Sequence, residues 1–310
     1  MNYTTLGRTG LRVSVMGMGG GGPSQLGKRT GKSEADSIAV LDYALAAGVN
    51  FIDTAEAYGT EEIVGKAIAG RPRDQLVIST KKSVNDTTKP DDVIAGVEAS
   101  LRRLGTDYID IYNLHGVRPE HYPYLYKTIV PTFQDLQQAG KIRFIGITEL
   151  FGSDLQHAML QQALQYKVWD VLMVGFNILN QTAREQVFAQ SLAQNLGIQI
   201  MFAVRRALSD PERLRVELQT LLDKGEIEPA EIDLANPLGF VLGDGGATSL
   251  TDAAYRFCRD EPGTHVILSG TGNLAHLQEN IASLNRPPLP EATTARLRQI
   301  FRRATSVSGQ

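Results

Sequence analysis

Short apolar runs alternate along the chain with segments whose apolar residues recur at helical spacing, and this alternation repeats eight times. The runs are rich in β-branched residues and almost continuously apolar, as expected of parallel strands that are covered on both faces. Parallel neighbours need right-handed helical crossovers, and eight such strands can close into a barrel. The predicted strands are Val13–Met18, Phe51–Thr54, Leu76–Thr80, Tyr108–His115, Ile142–Thr148, Val171–Asn177, Ile198–Val204 and Val266–Ser269.

The segments between the predicted strands carry helix caps that agree with their periodicity. Ser33 followed by Asp36 forms a capping-box pattern, and Gly48 ends the apolar repeat of the first helix. The third helical segment opens at Pro90 and ends at Gly105. We therefore expect residues 1–310 to form a single α/β domain, a (β/α)8 TIM barrel.

Two stretches lie outside the minimal repeat. Residues 206–248 follow the seventh strand, and we expect them to form a long loop that shapes the ligand site. Glu291–Arg303 has the pattern of an extra C-terminal helix. Neither a Pro/Ser linker nor a charge run marks a second domain.

Composition and charge narrow the possible partners and location. The formal charge is −3, and the basic residues form no stripe of the kind that phosphate backbones require. The one cysteine, Cys258, permits no intrachain disulfide and fits a reducing cytosol. The N-terminus lacks a signal-peptide pattern, and no apolar run reaches the roughly 18 residues of a membrane helix. We expect a cytoplasmic protein without a nucleic-acid or membrane partner.

A glycine run, Gly17–Gly22, follows the first strand and matches the dinucleotide-binding pattern GxGxxG. In that motif the third glycine opens a helix whose N-terminus faces the pyrophosphate. Here Pro23 and the polar stretch Ser24–Lys32 come before any helical repeat. The sequence favours a flexible loop at the mouth of the first strand over a Rossmann fingerprint, because glycines near a ligand can simply permit close backbone approach.

Four polar residues come at or just after the ends of three consecutive strands. Asp53, Lys81 and His115 end strands two, three and four, and Tyr58 lies in the loop after strand two. In a barrel the C-terminal strand ends carry the active site, so these side chains are predicted to converge. Taken singly, each has a simpler explanation. Asp53 could hydrogen-bond a loop, Lys81 could be a solvated surface charge, and His115 could be a hydrogen-bonded histidine of the core.

The set suits the reduction of a carbonyl, which needs a hydride for carbon and a proton for oxygen. A phenol with a pKa of about 10 is a slow acid at neutral pH unless its ionised form is stabilised. Lys81 would lower the pKa of Tyr58, Asp53 would hold the ammonium, and His115 would orient the substrate oxygen. The five histidines show no metal-ligand spacing, so we expect no metal.

With these residues, the sequence resembles the aldo-keto reductases over its whole length. Leu6–Leu11 is similar to that family's N-terminal hairpin, and Asp53, Tyr58, Lys81 and His115 match its catalytic tetrad in order and spacing. The resemblance implies NAD(P)H bound across the barrel mouth without a Rossmann domain, and a small carbonyl or alcohol substrate. The residues that we predict to bind the cofactor are Gly19, Asp53, Thr148, Glu149, Arg205, Ser269, Gly270, Thr271, His276, Glu279 and Asn280.

The chain departs from the family pattern where the nicotinamide is held. The family commonly has Ser-Asn where this chain has Thr148-Glu149, and a Gln where it has Met173. A carboxylate can accept from the cofactor's amide group but cannot donate to its carbonyl. On strand seven, Arg205 or Arg206 could contact the pyrophosphate or an acidic substrate, or be a rim charge.

The resemblance favours NADP(H) over NAD(H) as the cofactor. The one candidate to bind a 2′-phosphate is His276, and a histidine binds phosphate more weakly than an arginine at neutral pH. The main prediction is an oxidoreductase that interconverts an aldehyde, ketone or sugar carbonyl with its alcohol, with Tyr58 as general acid. Two alternatives remain open: a cofactor-sensing regulatory subunit with little turnover, and a Schiff-base lyase that uses Lys81. The sequence does not indicate the substrate or the oligomeric state.

Overall fold

The computed structural model describes residues 1–310, and its centre is a closed barrel of eight parallel strands in the order β10-β3-β4-β5-β6-β7-β8-β9. The (β/α)8 barrel expected from the sequence is confirmed. A two-stranded antiparallel hairpin precedes it. The strands are β1 Tyr3–Thr5, β2 Arg12–Ser14, β3 Met16–Gly19, β4 Phe51–Asp53, β5 Val77–Ser83, β6 Ile109–Val117, β7 Ile142–Glu149, β8 Val171–Gly175, β9 Gly197–Met201 and β10 Val266–Ser269.

Helices surround the barrel, and the caps predicted from the sequence are present. Ser33 accepts a hydrogen bond from the Asp36 backbone while the Asp36 side chain accepts from the Ser33 backbone, which fixes the start of the first helix. The helices are α1 Glu34–Ala46, α2 Glu61–Ile68, α3 Pro90–Leu104, α4 Tyr122–Thr128, α5 Val130–Gln138, α6 Ala158–Ala163, α7 Ala189–Ala193, α8 Pro211–Asp223, α9 Leu250–Arg259, α10 Leu274–Asn285 and α11 Glu291–Ile300.

The hairpin closes the N-terminal end of the barrel. Leu6, Leu11 and Val13 are buried in one cluster with apolar side chains from the lower part of the barrel. The predicted first strand, Val13–Met18, is divided in the structure: Val13 belongs to β2, and the barrel strand begins at Met16. The lower interior is thus filled by side chains, which leaves the opposite, C-terminal end for a site. The cluster also contains Phe51, Val77, Ile111, Val171 and Val266.

The connection after β9 is more regular than the long loop expected for residues 206–248. It contains α8, which Asp210 caps by accepting from the backbone amides of Glu212 and Arg213. The expected C-terminal helix is present as α11. No helix combines the length and apolar character that crossing a membrane requires.

Candidate active site

Asp53 and Lys81 form a buried ion pair at the C-terminal end of β4 and β5. The Lys81 Nζ atom lies 2.6 Å from Asp53 Oδ2 and donates a second hydrogen bond, of 2.7 Å, to the Thr54 carbonyl. The Lys81 side chain is fully buried. Burial lowers the pKa of Lys81, but Asp53 and then Tyr58 raise it, so that the pKa of Lys81 is raised overall. Lys81 is therefore held as an ammonium ion.

Tyr58 lies directly above this pair. The Lys81 Nζ atom is 5.0 Å from the centroid of the Tyr58 ring, and the Tyr58 hydroxyl lies 3.2 Å from His115 Nε2. The two rings meet edge to face. The four residues predicted from the strand ends are thus brought together, with one phenol and one imidazole at the mouth and one ion pair beneath them.

The pKa of Tyr58 differs from the sequence-based expectation. Burial raises it, the Lys81 ammonium lowers it, and Asp53 raises it again, so that the pKa lies above its ordinary value of 10.0. Lys81 acts in the expected direction, but the desolvation of the phenol outweighs it. Tyr58 is consequently a neutral phenol near pH 7.

His115 is neutral over the physiological range. Burial, and then the Lys81 charge, lowers its pKa from 6.5 to about 3. Its Nδ1 atom is buried and has no hydrogen-bond partner, and either atom can be the donor in the contact between Nε2 and the Tyr58 hydroxyl, so the contacts do not fix the tautomer. A neutral imidazole with a proton on Nε2 can donate to a substrate oxygen next to the Tyr58 hydroxyl.

The glycine run packs against Tyr58 and does not open a helix. A Cβ atom on Gly21 would lie 2.6 Å from Tyr58 Cε2, and one on Gly20 would lie 2.9 Å from Thr60 Oγ1. The next α-helix begins only at Glu34. The role of Gly21 is therefore to let the backbone lie flat against the proposed proton donor.

Gly21→Ala is expected to displace the Tyr58 ring, because the methyl group would overlap it. A displacement of about 1 Å from the reacting position costs on the order of 10²-fold in rate. We expect a loss of about that size in kcat, with the thermal midpoint little changed. Gly152→Ala is the control, since a Cβ there meets no atom within 4 Å. Equal kcat values for the two variants would contradict this role of Gly21.

The cofactor residues predicted at the end of β7 are not both available. Thr148 accepts a 2.7 Å hydrogen bond from the Gly116 amide. The Glu149 carboxylate lies 2.8 Å from His157 Nδ1 and accepts from the Gly175 amide, and both Glu149 and His157 side chains are fully buried. The structure does not bring the Glu149 side chain to the open mouth, because its carboxylate is bound to His157 and the Gly175 amide. Motif spacing in the sequence could not reveal these partners.

The residues predicted after β10 fall into two groups. Ser269 accepts hydrogen bonds of 2.9 Å from both Tyr255 and Asn280, and these side chains form a buried network outside the barrel. Successive strand residues face opposite sides, so Ser269 lies behind the sheet while Gly270 faces the mouth. Ser269 and Asn280 are thus structural neighbours and not an open cofactor contact. Gly270, His276 and Glu279 are exposed, and Thr271 is buried.

Arg205 lies just beyond β9 and lacks a carboxylate partner. Its guanidinium carbon lies 3.7 Å from the centroid of the Phe202 ring, and Nη1 donates to Gln310 Oε1 at 2.8 Å. Its Nε atom is buried without a partner, and burial lowers the pKa of Arg205 to about 10. Arg206 instead lies 3.4 Å from Asp210 and is exposed. Of the two arginines, Arg205 is the one with a buried donor that has no partner within the protein and could bind an anion.

The residues around the mouth fit a polar, anionic ligand such as a dinucleotide. His115 Nδ1 and Arg205 Nε are buried polar atoms with no partner within the protein, although such groups are normally satisfied. Gly19 ends β3 and Gly270 directly follows the neighbouring strand β10, and a Cβ on Gly270 would lie 3.1 Å from the Gly19 carbonyl oxygen. This side-chain-free pair permits a ligand to approach the backbone closely.

Comparison with known proteins agrees with this geometry. The model of the aldo/keto reductase family matches residues 15–302, from the start of the barrel into the segment that follows α11. The chain belongs to the aldo/keto reductase family. The four residues Asp53, Tyr58, Lys81 and His115, which we call the strand-end cluster, therefore lie in a protein of an oxidoreductase family. This agrees with the main sequence prediction of an oxidoreductase.

Individual aldo/keto reductases are similar at modest identity. The NADH-specific methylglyoxal reductase of Escherichia coli (strain K12) is 29% identical over 236 residues, 67% of this chain and 69% of the relative. The uncharacterized oxidoreductase YqkF of Bacillus subtilis (strain 168) is 25% identical over 307 residues, 94% of each chain. The aldo-keto reductase AKR11C1 from Bacillus halodurans (holo form) superposes with a TM-score of 0.73 at 23% identity and 96% coverage of both chains, which establishes the shared fold.

The lowered pKa of His115 predicts how the stability of this aldo/keto reductase depends on pH. Between pH 6.5 and about 3 the unfolded chain binds a proton on this imidazole that the folded protein excludes. The free energy of unfolding therefore decreases as pH falls through that window. His115→Gln is expected to flatten this dependence in urea unfolding, relative to His276→Gln at an exposed position. Parallel pH profiles for the two variants would contradict the prediction.

Proposed function

We propose that this aldo/keto reductase interconverts an aldehyde, ketone or sugar carbonyl with its alcohol, and that Tyr58 is the general acid in the reductive direction. The observation that carries the proposal is the Tyr58 hydroxyl 3.2 Å from His115 Nε2, above the buried Lys81–Asp53 pair. A bound nicotinamide dinucleotide supplies the hydride that the carbonyl carbon takes up. The protein's own residues handle the proton on the carbonyl oxygen.

Each of the four side chains has a distinct task in this proposal. His115 Nε2 donates to the carbonyl oxygen and aligns it with the Tyr58 hydroxyl. Tyr58 transfers its proton to that oxygen as negative charge develops there, and the resulting phenolate is stabilised by the Lys81 ammonium. Asp53 holds the ammonium in place and keeps it protonated. In the oxidative direction the Tyr58 phenolate accepts the proton from the alcohol.

The proposed cofactor contacts follow the available groups at the mouth. Gly19 and Gly270 would provide the backbone cradle, and Thr271 would lie at its side. Arg205 would face the pyrophosphate, because its guanidinium has donors left over. Thr148 would lie next to the nicotinamide. The buried Gln199 amide, which is paired in register with Met173, would be a polar group beside the position where the family has its Gln.

The choice between NADP(H) and NAD(H) depends on the segment from Ser269 to Asn280. Family habit favours NADP(H), but this segment contains no Lys or Arg, and Glu279 is exposed in it. A carboxylate suits a ribose 2′-hydroxyl better than a 2′-phosphate. The relative from Escherichia coli is described as NADH-specific. We therefore include NAD(H) as an equal candidate in the test.

The test is a paired fluorescence titration with NADPH and NADH, followed by a panel of aldehydes, ketones and sugars with the tighter cofactor. We expect quenching with at least one cofactor and consumption of it with at least one carbonyl. Binding without turnover across the panel would favour the regulatory-subunit alternative, which the occupied Glu149 carboxylate motivates. Absence of binding to either cofactor would contradict both.

The Schiff-base alternative is disfavoured by the state of Lys81. A nucleophilic amine must lose its proton, whereas Asp53 and the Thr54 carbonyl both accept hydrogen bonds from this ammonium. The raised pKa of Lys81 points the same way. Failure of borohydride to trap a carbonyl compound on Lys81 would agree with this assignment.

A further inference from the structure

Two polar residues lie inside the barrel one step below the strand-end cluster. Ser79 precedes Lys81 by two positions on β5, and Asn113 precedes His115 by two positions on β6. Side chains two apart on a strand share a face, so both residues lie on the interior face beneath the site. Both are completely buried.

Their hydrogen bonds form a chain that ends on Asp53. The Ser79 hydroxyl donates to Asp53 Oδ1 at 2.9 Å, and the Asn113 amide nitrogen donates to Ser79 Oγ at 3.1 Å. Since Ser79 accepts from Asn113, its single proton is directed at Asp53. The same Asn113 amide also donates to the Thr80 carbonyl at 3.0 Å, which fixes its orientation.

The barrel leaves space for this arrangement at Gly146 on the next strand. A Cβ atom at Gly146 would overlap the Asn113 amide oxygen. The interaction therefore spans four adjacent strands, with Asp53 on β4, Ser79 on β5, Asn113 on β6 and Gly146 on β7. A chain of donors that all point one way strengthens each bond in a low-dielectric interior.

We propose that Ser79 and Asn113 are positioning residues that hold the Asp53 carboxylate in the orientation and charge state needed to anchor Lys81, with Asn113 acting through Ser79. The inference rests on the proposed function, in which Lys81 stabilises the Tyr58 phenolate. Each Asp53 oxygen has its own donor: Oδ2 accepts from Lys81 and Oδ1 accepts from Ser79.

The charge balance around Asp53 explains why a second donor matters. Burial raises the pKa of Asp53, and Lys81 and then Ser79 oppose that change. The other titratable groups of the cluster are Tyr58, in the loop after β4, and His115 on β6. Without Ser79, the proton of the ion pair shifts toward Asp53, and Lys81 loses part of the charge that lowers the pKa of Tyr58.

The test is the titration of the Asp53 carboxyl by NMR of protein labelled with 13C at aspartate Cγ, with Asp53→Asn identifying the resonance. Because a hydrogen bond to a charged group is worth about one to two pKa units, Ser79→Ala should raise the Asp53 midpoint by about that amount. Asn113→Ala should raise it less. The double variant should match Ser79→Ala alone, since Asn113 acts through Ser79.

Ser191→Ala is the matched control, because Ser191 is also fully buried and donates one hydrogen bond, to the Phe188 carbonyl. It should leave the Asp53 midpoint and kcat unchanged, whereas Ser79→Ala should lower kcat by about tenfold. If Ser79→Ala does not fold, Ser79→Cys keeps the size with a weak donor and takes its place.

An unchanged Asp53 midpoint in the Ser79 variant would overturn the inference, and additive shifts in the double variant would overturn the action of Asn113 through Ser79. The NMR titration needs neither cofactor nor turnover. A protein that fails to reduce any carbonyl therefore refutes the proposed function while the titration still decides the placement of Asp53.

Discussion

Replacing Tyr58 by Phe should lower kcat for carbonyl reduction by about 10³-fold, the middle of the range for loss of a positioned general acid. The ring that packs against Gly21 is retained, so we expect the fold and the cofactor affinity to stay close to those of the wild type. Steady-state rates and a parallel fluorescence titration measure the two quantities. The phenol hydroxyl, and not the ring, is thereby isolated as the source of the effect.

Tyr43→Phe is the matched control, because Tyr43 is exposed on α1 and takes no part in the strand-end cluster. It should leave kcat unchanged. A Tyr58→Phe enzyme that retained more than about a tenth of wild-type kcat would show that another group delivers the proton.

Lys81→Met should abolish most activity and also destabilise the protein, since it leaves the Asp53 carboxylate buried without its cation. Breaking a buried ion pair from one side typically costs about 3–5 kcal/mol in the free energy of unfolding. Burial raises the pKa of Asp53 above its ordinary 3.8. The stability loss should therefore be smallest below pH 3.8, where Asp53 is protonated in both states, and increase with pH.

The double variant Lys81→Met/Asp53→Asn separates the two consequences of that substitution. Removing the stranded charge should restore much of the stability lost by Lys81→Met, as measured by urea unfolding at neutral pH. Activity should not return, because no ammonium is left to stabilise the Tyr58 phenolate. Recovery of turnover with stability would mean that Lys81 serves only to hold the fold.

The barrel and the convergence of the strand-end residues could be predicted from the sequence because both follow from local rules. Strand and helix periodicity gave the eight units, and the rule that strand ends carry the site pointed to Asp53, Lys81 and His115. Helix caps such as Ser33 with Asp36 involve neighbours in the chain, and they are present as predicted. Boundaries differed where Val13–Met18 is divided between two strands, and at the ends of β8 and β9, where the predicted Val171–Asn177 and Ile198–Val204 end at Gly175 and Met201.

Ser79 and Asn113 were missed although a signal was present. Each lies two residues before a predicted site residue, and a period of two places it on the same face of the same strand. Counting back from Lys81 and His115 would have identified both. Their hydrogen bonds across β4, β5 and β6 depend on the strand register, which the sequence did not supply.

The cofactor contacts were harder to predict from the sequence, because they depend on which side chains are already hydrogen-bonded to residues distant in the chain. The Glu149 carboxylate is held by His157, and Ser269 is held by Tyr255 and Asn280. The glycine run matched a dinucleotide-binding pattern, but the sequence favoured a loop at the mouth of the first strand, and in the folded chain Gly21 lies against Tyr58. Motif spacing carries no information about such competition for a side chain.

The most direct test of the account is a single-turnover experiment with the wild-type protein. Enzyme saturated with NADPH, or in a parallel series with NADH, is mixed with each carbonyl compound in a stopped-flow instrument while nicotinamide absorbance is followed. For at least one compound, we expect loss of one equivalent of reduced cofactor for each equivalent of alcohol formed. Saturating cofactor binding with unchanged absorbance across the whole panel would contradict it.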